Sequence, residues 1–312
     1  MSLQQVDIFD EAVKQVANNT EALFPLWMLN WAENLQEARF GDSLDKLYQR
    51  QPSERVLVVG RGPSLKKHNH LDLLEKYPFN GEIVASDGAL PLLAERGIVP
   101  YLSMTVDGNV VIAKWFDGPT ARLGSKVKAV LPVTVNPKTV NAIRKLGGHI
   151  YWYVPEIDSD SFKGLTRALQ LQTLSPKNQT GLSRHNAAGC CGLSAMVLAA
   201  TILRAKEICL IGMDNGYLPE TPLGELHYHD NVLKAVGYSA EQAAKFYRIY
   251  EHPLLGCSIV DVVFEVYRRG FQSLAKQIGN MGIRLYNATG GGCLVEEGVR
   301  IIDFEEYLKT LP

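Results

Sequence analysis

Several short stretches of the chain carry residue types suited to handling phosphate. "VVGRGPSL", Val58 to Leu65, leaves an apolar run through Gly60 and Gly62. Two glycines after a strand bring backbone N–H groups close to whatever lies beyond the strand's carboxyl end, and the usual guest there is an anion. The motif is neither GxGxxG nor GxxxxGK[ST], because no third glycine follows and Pro63 intervenes. Pro63 suits the first turn of a helix and leaves the N–H groups of Ser64 and Leu65 to face the anion. A tight strand-to-helix turn without a ligand is the plain alternative.

"ASDG" and "TVDGN" end two further apolar runs, placing Asp87 with Gly88, and Asp107 with Asn109, at corresponding positions. Carboxylates beside a phosphate site suit Mg²⁺, which takes oxygen ligands and bridges one or two acids to substrate phosphates. Asp87 and Asp107 are therefore the expected metal ligands, with helix capping as the alternative for each. "GMDNGYLPETPLGELHYHDN" joins Asp214 and Asn215 to His227 and His229. The histidines suit phosphate contact or general acid–base work, and together with Asp107 they are the expected catalytic groups. A zinc site on His-x-His lacks a third soft ligand nearby, and an inert loop is the other alternative. "SPKNQTGLSRHNAAGCCG" offers Lys177, Arg184 and His185 ahead of a helix that begins among glycines, where cations would suit a polyphosphate or a solvated loop. Asn287 and Thr289 in "NATGGG" complete the expected phosphate-binding set.

The segments between these motifs say how they are placed. From Arg55 onward a short apolar run, a turn and a helix-length segment repeat: "RVLVVG", "GEIVASDG", "YLSMTVDGN", "KAVLPVTV", "HIYWYVP" and "EICLIGMD" are the runs. Strands apolar throughout and separated by helices indicate a parallel sheet covered on both faces, an α/β doubly wound Rossmann-like domain. In such sheets ligands collect outside the carboxyl ends of the strands, where the motifs above fall. Residues 1–50 carry apolar residues at helical spacing (Ile8, Val13, Val16, Leu23; Trp27, Trp31, Leu35) and form an expected N-terminal helical subdomain ahead of a catalytic domain over 51–312. Further helices are expected over "SAEQAAKFYRIYEH" and "SIVDVVFEVYRRGFQSLAKQIGNMG", then a last strand, "IRLYNAT".

Composition bounds the partners. The 312 residues are 46% hydrophobic and 21% charged with a formal net charge of −1, so the basic footprint of a nucleic-acid binder is missing. "LSAMVLAATIL" is the longest kind of apolar run present, too short for a bilayer span, and the first residues lack the basic and apolar regions of a signal peptide. A cytoplasmic protein with small-molecule partners follows by default, and a homo-oligomer is left open. The five cysteines, odd in number and without CxxC spacing, read as reduced thiols.

With these pieces in order, "VVGRGPSL", "ASDGALPLLAERGIVPYLSMTVDGN", "GCCGLSAMVLAATILRAKEICLIGMDNGY" and "NATGGG" resemble the 6-hydroxymethylpterin diphosphokinase MptE-like family, which also includes flagellin-glycosylation motility accessory factors. The segment from Asp87 to Asp107 also looks like thiamin pyrophosphokinase, and "GPSL" and "LIGMD" look like sialyltransferases that use a CMP-linked sugar. The resemblance implies a nucleotide site around Gly60 to Leu65, Mg²⁺ near Asp87 and Asp107, and diphosphate transfer from ATP to a hydroxymethylpterin-like alcohol. The pyrophosphokinase pattern is departed from at Pro100-Tyr101 and Thr105-Val106-Asp107. Transfer of an acidic sugar from its CMP conjugate, with His227 or His229 as acid or base, is the second expectation. A nucleotide-binding module without catalysis, working through its N-terminal helices, is the third.

Overall fold

The computed structural model describes residues 7–48, 50–226, 229–235, 237 and 239–311. The strands are Asp42–Ser43 (β1), Arg55–Val59 (β2), Glu82–Ser86 (β3), Leu102–Met104 (β4), Lys128–Pro132 (β5), His149–Pro155 (β6), Arg184–His185 (β7), Glu207–Ile211 (β8), Tyr247–His252 (β9), Gly256–Asp261 (β10), Arg284–Asn287 (β11) and Val299–Ile301 (β12). A parallel sheet runs β1-β6-β5-β4-β3-β2-β8-β11-β12, with β7 beside β6, while β9 and β10 form a separate antiparallel hairpin. The chain is thus an α/β Rossmann-like fold in which the strand order reverses between β2 and β8.

The two faces of the sheet explain the unbroken apolar runs. Val56 and Val58 of β2 enter the core on one face with Ile208 and Leu210 of β8; Leu57 and Val59 enter the other with Cys209 and Ile211. Side chains alternate with period two, so a strand buried on both faces must be apolar at every position. The first face is covered by helix Cys191–Thr201, in which residues 192–200 are all buried, with helix Val262–Asn280 outside it. A helix apolar all round belongs inside the protein. At 11 residues it is too short to span a bilayer, and no described helix is long and apolar enough to do so.

Three expectations change. The N-terminal segment is helical over Ile8–Asn18 and Phe24–Phe40, but Asp42–Ser43, just past the second helix, pair with Tyr151 and Trp152 and so join the main sheet. The segment also touches the strand ends: Asn30 donates to the Gly108 and Thr134 carbonyls at 2.9 and 3.0 Å, and Asn34 to those of Val133 and Val135 at 3.1 and 2.7 Å. The helix expected over "SAEQAAKFYRIYEH" stops at Ala244, and Tyr247–His252 is a strand. Its aromatic and β-branched residues suit a pleated surface, and pairing with Gly256–Asp261 decides the matter. Likewise the long helix begins only at Val262, where Asp261 Oδ1 accepts the amides of Val263 and Phe264 at 2.9 and 2.8 Å. None of the five cysteines is bridged.

Candidate functional site

The carboxyl ends of β2, β8 and β11 interlock. Gly60 donates its amide to Ile211 O and Gly62 to Gly212 O, at 2.9 and 2.7 Å. A Cβ on Gly60 would sit 2.3 Å from Gly212 O, and one on Gly62 1.7 Å from Asp214 Oδ2. Glycine is required here because two segments of the chain run side by side, a reason different from the one expected. The anticipated anion is also already present within the protein. Ser64 donates its amide and its hydroxyl to the two oxygens of Asp214, at 3.2 and 2.6 Å, while the Leu65 amide bonds Gly62 O. Pro63 precedes only a four-residue helix, Ser64–Lys67. Burial raises the Asp214 carboxyl to about 6 against the bonds from Ser64.

The segment after β11 closes on the backbone of the same residue, Asp214. Gly292, at φ 82°, lies so close that a Cβ would meet Asp214 O at 2.1 Å, and the Cys293 amide donates to that oxygen at 3.0 Å. Asn287 and Thr289, expected to meet phosphate, are fully buried instead. Asn287 donates to Leu294 O and accepts from the Thr289 amide, and Thr289 Oγ1 accepts from the Met213 amide. Both side chains are consumed in bracing the turn. Asn215 adopts a left-handed φ of 45°. A cavity of about 130 Å³ opens beside this knot, between Lys67 and His68, the Gly290–Gly292 turn, and Cys257 and Ser258 of β10. Lys67 and His68 were not anticipated, since only their position after the knotted turn distinguishes them from other exposed polar residues.

On the other side of β2, Asp87 is buried at the end of β3, with Gly88 N donating to Oδ1 at 2.6 Å and the Cys191 thiol to Oδ2 at 3.4 Å. Burial pushes its carboxyl up to about 6, and the Asp107 charge adds to that push. Asp107 is exposed after β4, its Oδ1 accepting from the Asn109 amide at 2.8 Å, and Asn109 in turn caps the 3₁₀ turn Val110–Phe116 through Val111 N. Two hard oxygen donors whose charges repel fit a small divalent cation that completes its shell with water and phosphate. Among the described residues no group of three or more His, Cys, Asp or Glu is arranged to hold a metal.

Two of the remaining expected residues, Lys177 and Arg184, lie apart from this edge. Lys177 pairs with Asp42 at 2.7 Å on β1, beyond β6, so it neutralises a carboxylate at the sheet's far margin. Arg184 is exposed on β7, opposite Val154 of β6, across β5 and β4 from Asp87. His185 is buried against Ser194, with its pKa lowered to about 4 by burial. His229 opens helix His229–Ala235 and shares a hydrogen bond of 3.0 Å with Tyr247 Oη. His227 lies outside the described residues. A cation that does reach the edge is Arg61, whose Cζ stands 3.9 Å from the centre of the Trp115 ring.

Comparison with known proteins agrees with this architecture. No curated protein matches the sequence. A solved structure, that of the MAf glycosyltransferase from Magnetospirillum magneticum AMB-1, superposes with a TM-score of 0.55 at 17% identity over 90% of this chain. This chain spans 39% of the length of that one, and at such identity the likeness is one of fold. The family model described as 6-hydroxymethylpterin diphosphokinase MptE-like matches residues 28–220, more than half of the chain and the whole run from the Asn30 helix to the Asp214 knot. The chain belongs to the 6-hydroxymethylpterin diphosphokinase MptE-like family.

Proposed function

We propose that the protein is a Mg²⁺-dependent transferase that moves diphosphate from ATP to a 6-hydroxymethylpterin-like alcohol. The observation that carries this reading is the placement of Asp87 and Asp107 on neighbouring strand ends, where the charge of Asp107 helps raise the Asp87 carboxyl. Bound there, Mg²⁺ would neutralise phosphate oxygens and so stabilise charge that develops on transfer. The chain's own part is positioning. The Asp214 knot holds β2, β8 and β11 in register, Asn30 holds the loop that bears Asp107, and Gly88 and Cys191 orient Asp87. Such chemistry asks for orientation and charge neutralisation more than for covalent help.

A second reading is supported by the Magnetospirillum glycosyltransferase, because the structural likeness covers 90% of the chain and so extends past residue 220, where the family match ends. In it the same edge takes a CMP-linked sugar, and His229, tied to Tyr247, is the acid or base.

One experiment separates the two. The purified protein is given ATP, Mg²⁺ and reduced hydroxymethylpterin, and AMP is measured; in parallel, melting temperatures are compared with ATP, CTP and CMP, in Mg²⁺ and in EDTA. AMP release together with a Mg²⁺-dependent shift by ATP supports the diphosphokinase. Absence of AMP, with a shift by cytidine nucleotides that survives EDTA, overturns it in favour of the glycosyltransferase.

A further inference from the structure

The turn after β2 carries a cation that the glycine pattern does not call attention to. Arg61 leaves the turn between Gly60 and Gly62, both pinned by backbone bonds to β8, so its Cα has little freedom. Its aliphatic stem lies over Gly88: a Cβ there would meet Arg61 Cδ at 2.9 Å, and Cβ and Cγ at 3.7 and 3.8 Å. Its guanidinium lies on Trp115, whose ring also attracts Lys114 Nζ at 4.4 Å. Two cations on one indole place positive charge beside the strand ends, since a ring quadrupole attracts cations without neutralising them.

The neighbouring carboxylate does not account for Arg61 either. Asp87 acts on it only at a distance, and among the described residues Arg61 forms no direct ion pair. A guanidinium stays charged in any protein environment and presents its donors in a planar fork that matches phosphate oxygens. Stacking on an indole fixes the plane of that fork and leaves its edge free to bond, which lowers the ordering cost of a phosphate contact.

We propose that Arg61 is the residue that binds the phosphate tail of the nucleotide, with Trp115 as its positioning residue and Gly88 as the gap that admits its stem. This rests on the reading that a nucleotide occupies the carboxyl edge of the sheet, and it holds whether the tail belongs to ATP or to a cytidine nucleotide. It assigns to Arg61 the role that Lys177 and Arg184 are too remote to fill.

The test measures binding of inorganic triphosphate, ATP, CTP, AMP and CMP by calorimetry, with Mg²⁺ and with EDTA, to the wild-type chain, Arg61→Gln, Arg61→Lys, Trp115→Leu and Trp115→Phe. The expected result for Arg61→Gln is a loss of about 10- to 100-fold in affinity for the nucleotide the wild type binds best, the scale of a charge-assisted phosphate contact, with an unchanged melting temperature of the unliganded protein. Arg61→Lys keeps the charge without the fork and recovers only part of the loss. Trp115→Leu weakens binding while leaving the salt dependence set by Arg61, and Trp115→Phe restores most of it. Wild-type binding with undiminished affinity in Arg61→Gln overturns this proposal alone. A wild-type chain that binds none of the five ligands overturns the nucleotide reading as well.

Discussion

Ser64 and Asp214, 150 positions apart in the chain, are joined by two hydrogen bonds, hydroxyl to Oδ2 at 2.6 Å and amide to Oδ1 at 3.2 Å. The pair closes the point at which the strand order reverses, between β2 and β8. A carboxylate of the chain itself thus sits beside the glycine turn, where a ligand's anion is the expected guest.

Asp214 makes stability depend on pH in a known direction. Its folded pKa of about 6 lies above the ordinary carboxylate value, so between the two the folded state holds the proton more tightly than the unfolded one. Its contribution is therefore most favourable below the unfolded pKa and is lost as pH rises through 6. Asp214→Asn, which retains an acceptor for Ser64 and carries no charge, is expected to match or exceed the wild type in urea denaturation at pH 8. That relative gain should disappear near pH 4. A variant clearly less stable at pH 8 than at pH 4, relative to wild type, would contradict the burial argument.

The knot has no room for a side chain at its centre. Gly62→Ala forces a Cβ onto Asp214 Oδ2, a buried group with no free direction to move, and is expected to cost about 3 kcal/mol or more in urea unfolding. Gly279, within helix Val262–Asn280, has nothing within 4 Å of a Cβ, so Gly279→Ala is expected to raise stability by up to about 1 kcal/mol. The opposite signs of these two substitutions are the observable.

Asp107 is exposed and among the described residues makes only a local turn bond, so Asp107→Asn is expected to fold with a wild-type melting temperature. If it holds a catalytic cation, AMP release in saturating ATP and Mg²⁺ falls by about 100-fold or more. A variant that retains full turnover would remove Asp107 from the metal site.

Asn30 and Asn34 stand one turn apart on helix Phe24–Phe40 and satisfy four buried carbonyls, but only Asn30 bonds the Gly108 carbonyl beside Asp107. Alanine at either position leaves acceptors unpaired and should cost about 1–3 kcal/mol. Asn30→Ala is expected in addition to diminish the Mg²⁺-dependent part of the ATP-induced melting shift, which Asn34→Ala leaves intact. Equal effects of both variants on that shift would make Asn30 purely structural.

Much of this molecule is legible along the chain because parallel strands buried on both faces must be apolar at every position, and "RVLVV" and "EICLI" show this without any partner being known. The strand ends are legible for the same reason: an acid or glycine directly after such a run, as at Asp87, Asp107 and Asp214, stands at the carboxyl edge of a sheet whatever the order of its strands. What each of them faces is a separate matter. Gly62 and Asp214 are each intelligible as ligand-binding residues until β2 and β8 are laid side by side, when each is seen to accommodate the other. Lys177 and Arg184 lie close in sequence to a glycine-rich helix start, yet the strand order carries them to the margin, while Arg61, hidden between two glycines, is brought against Trp115. Local pattern is set by burial on the residue's own strand or helix and is therefore written in its neighbours. Which charges meet at an edge depends on crossover connections that bring distant segments together, and only the tertiary structure decides those.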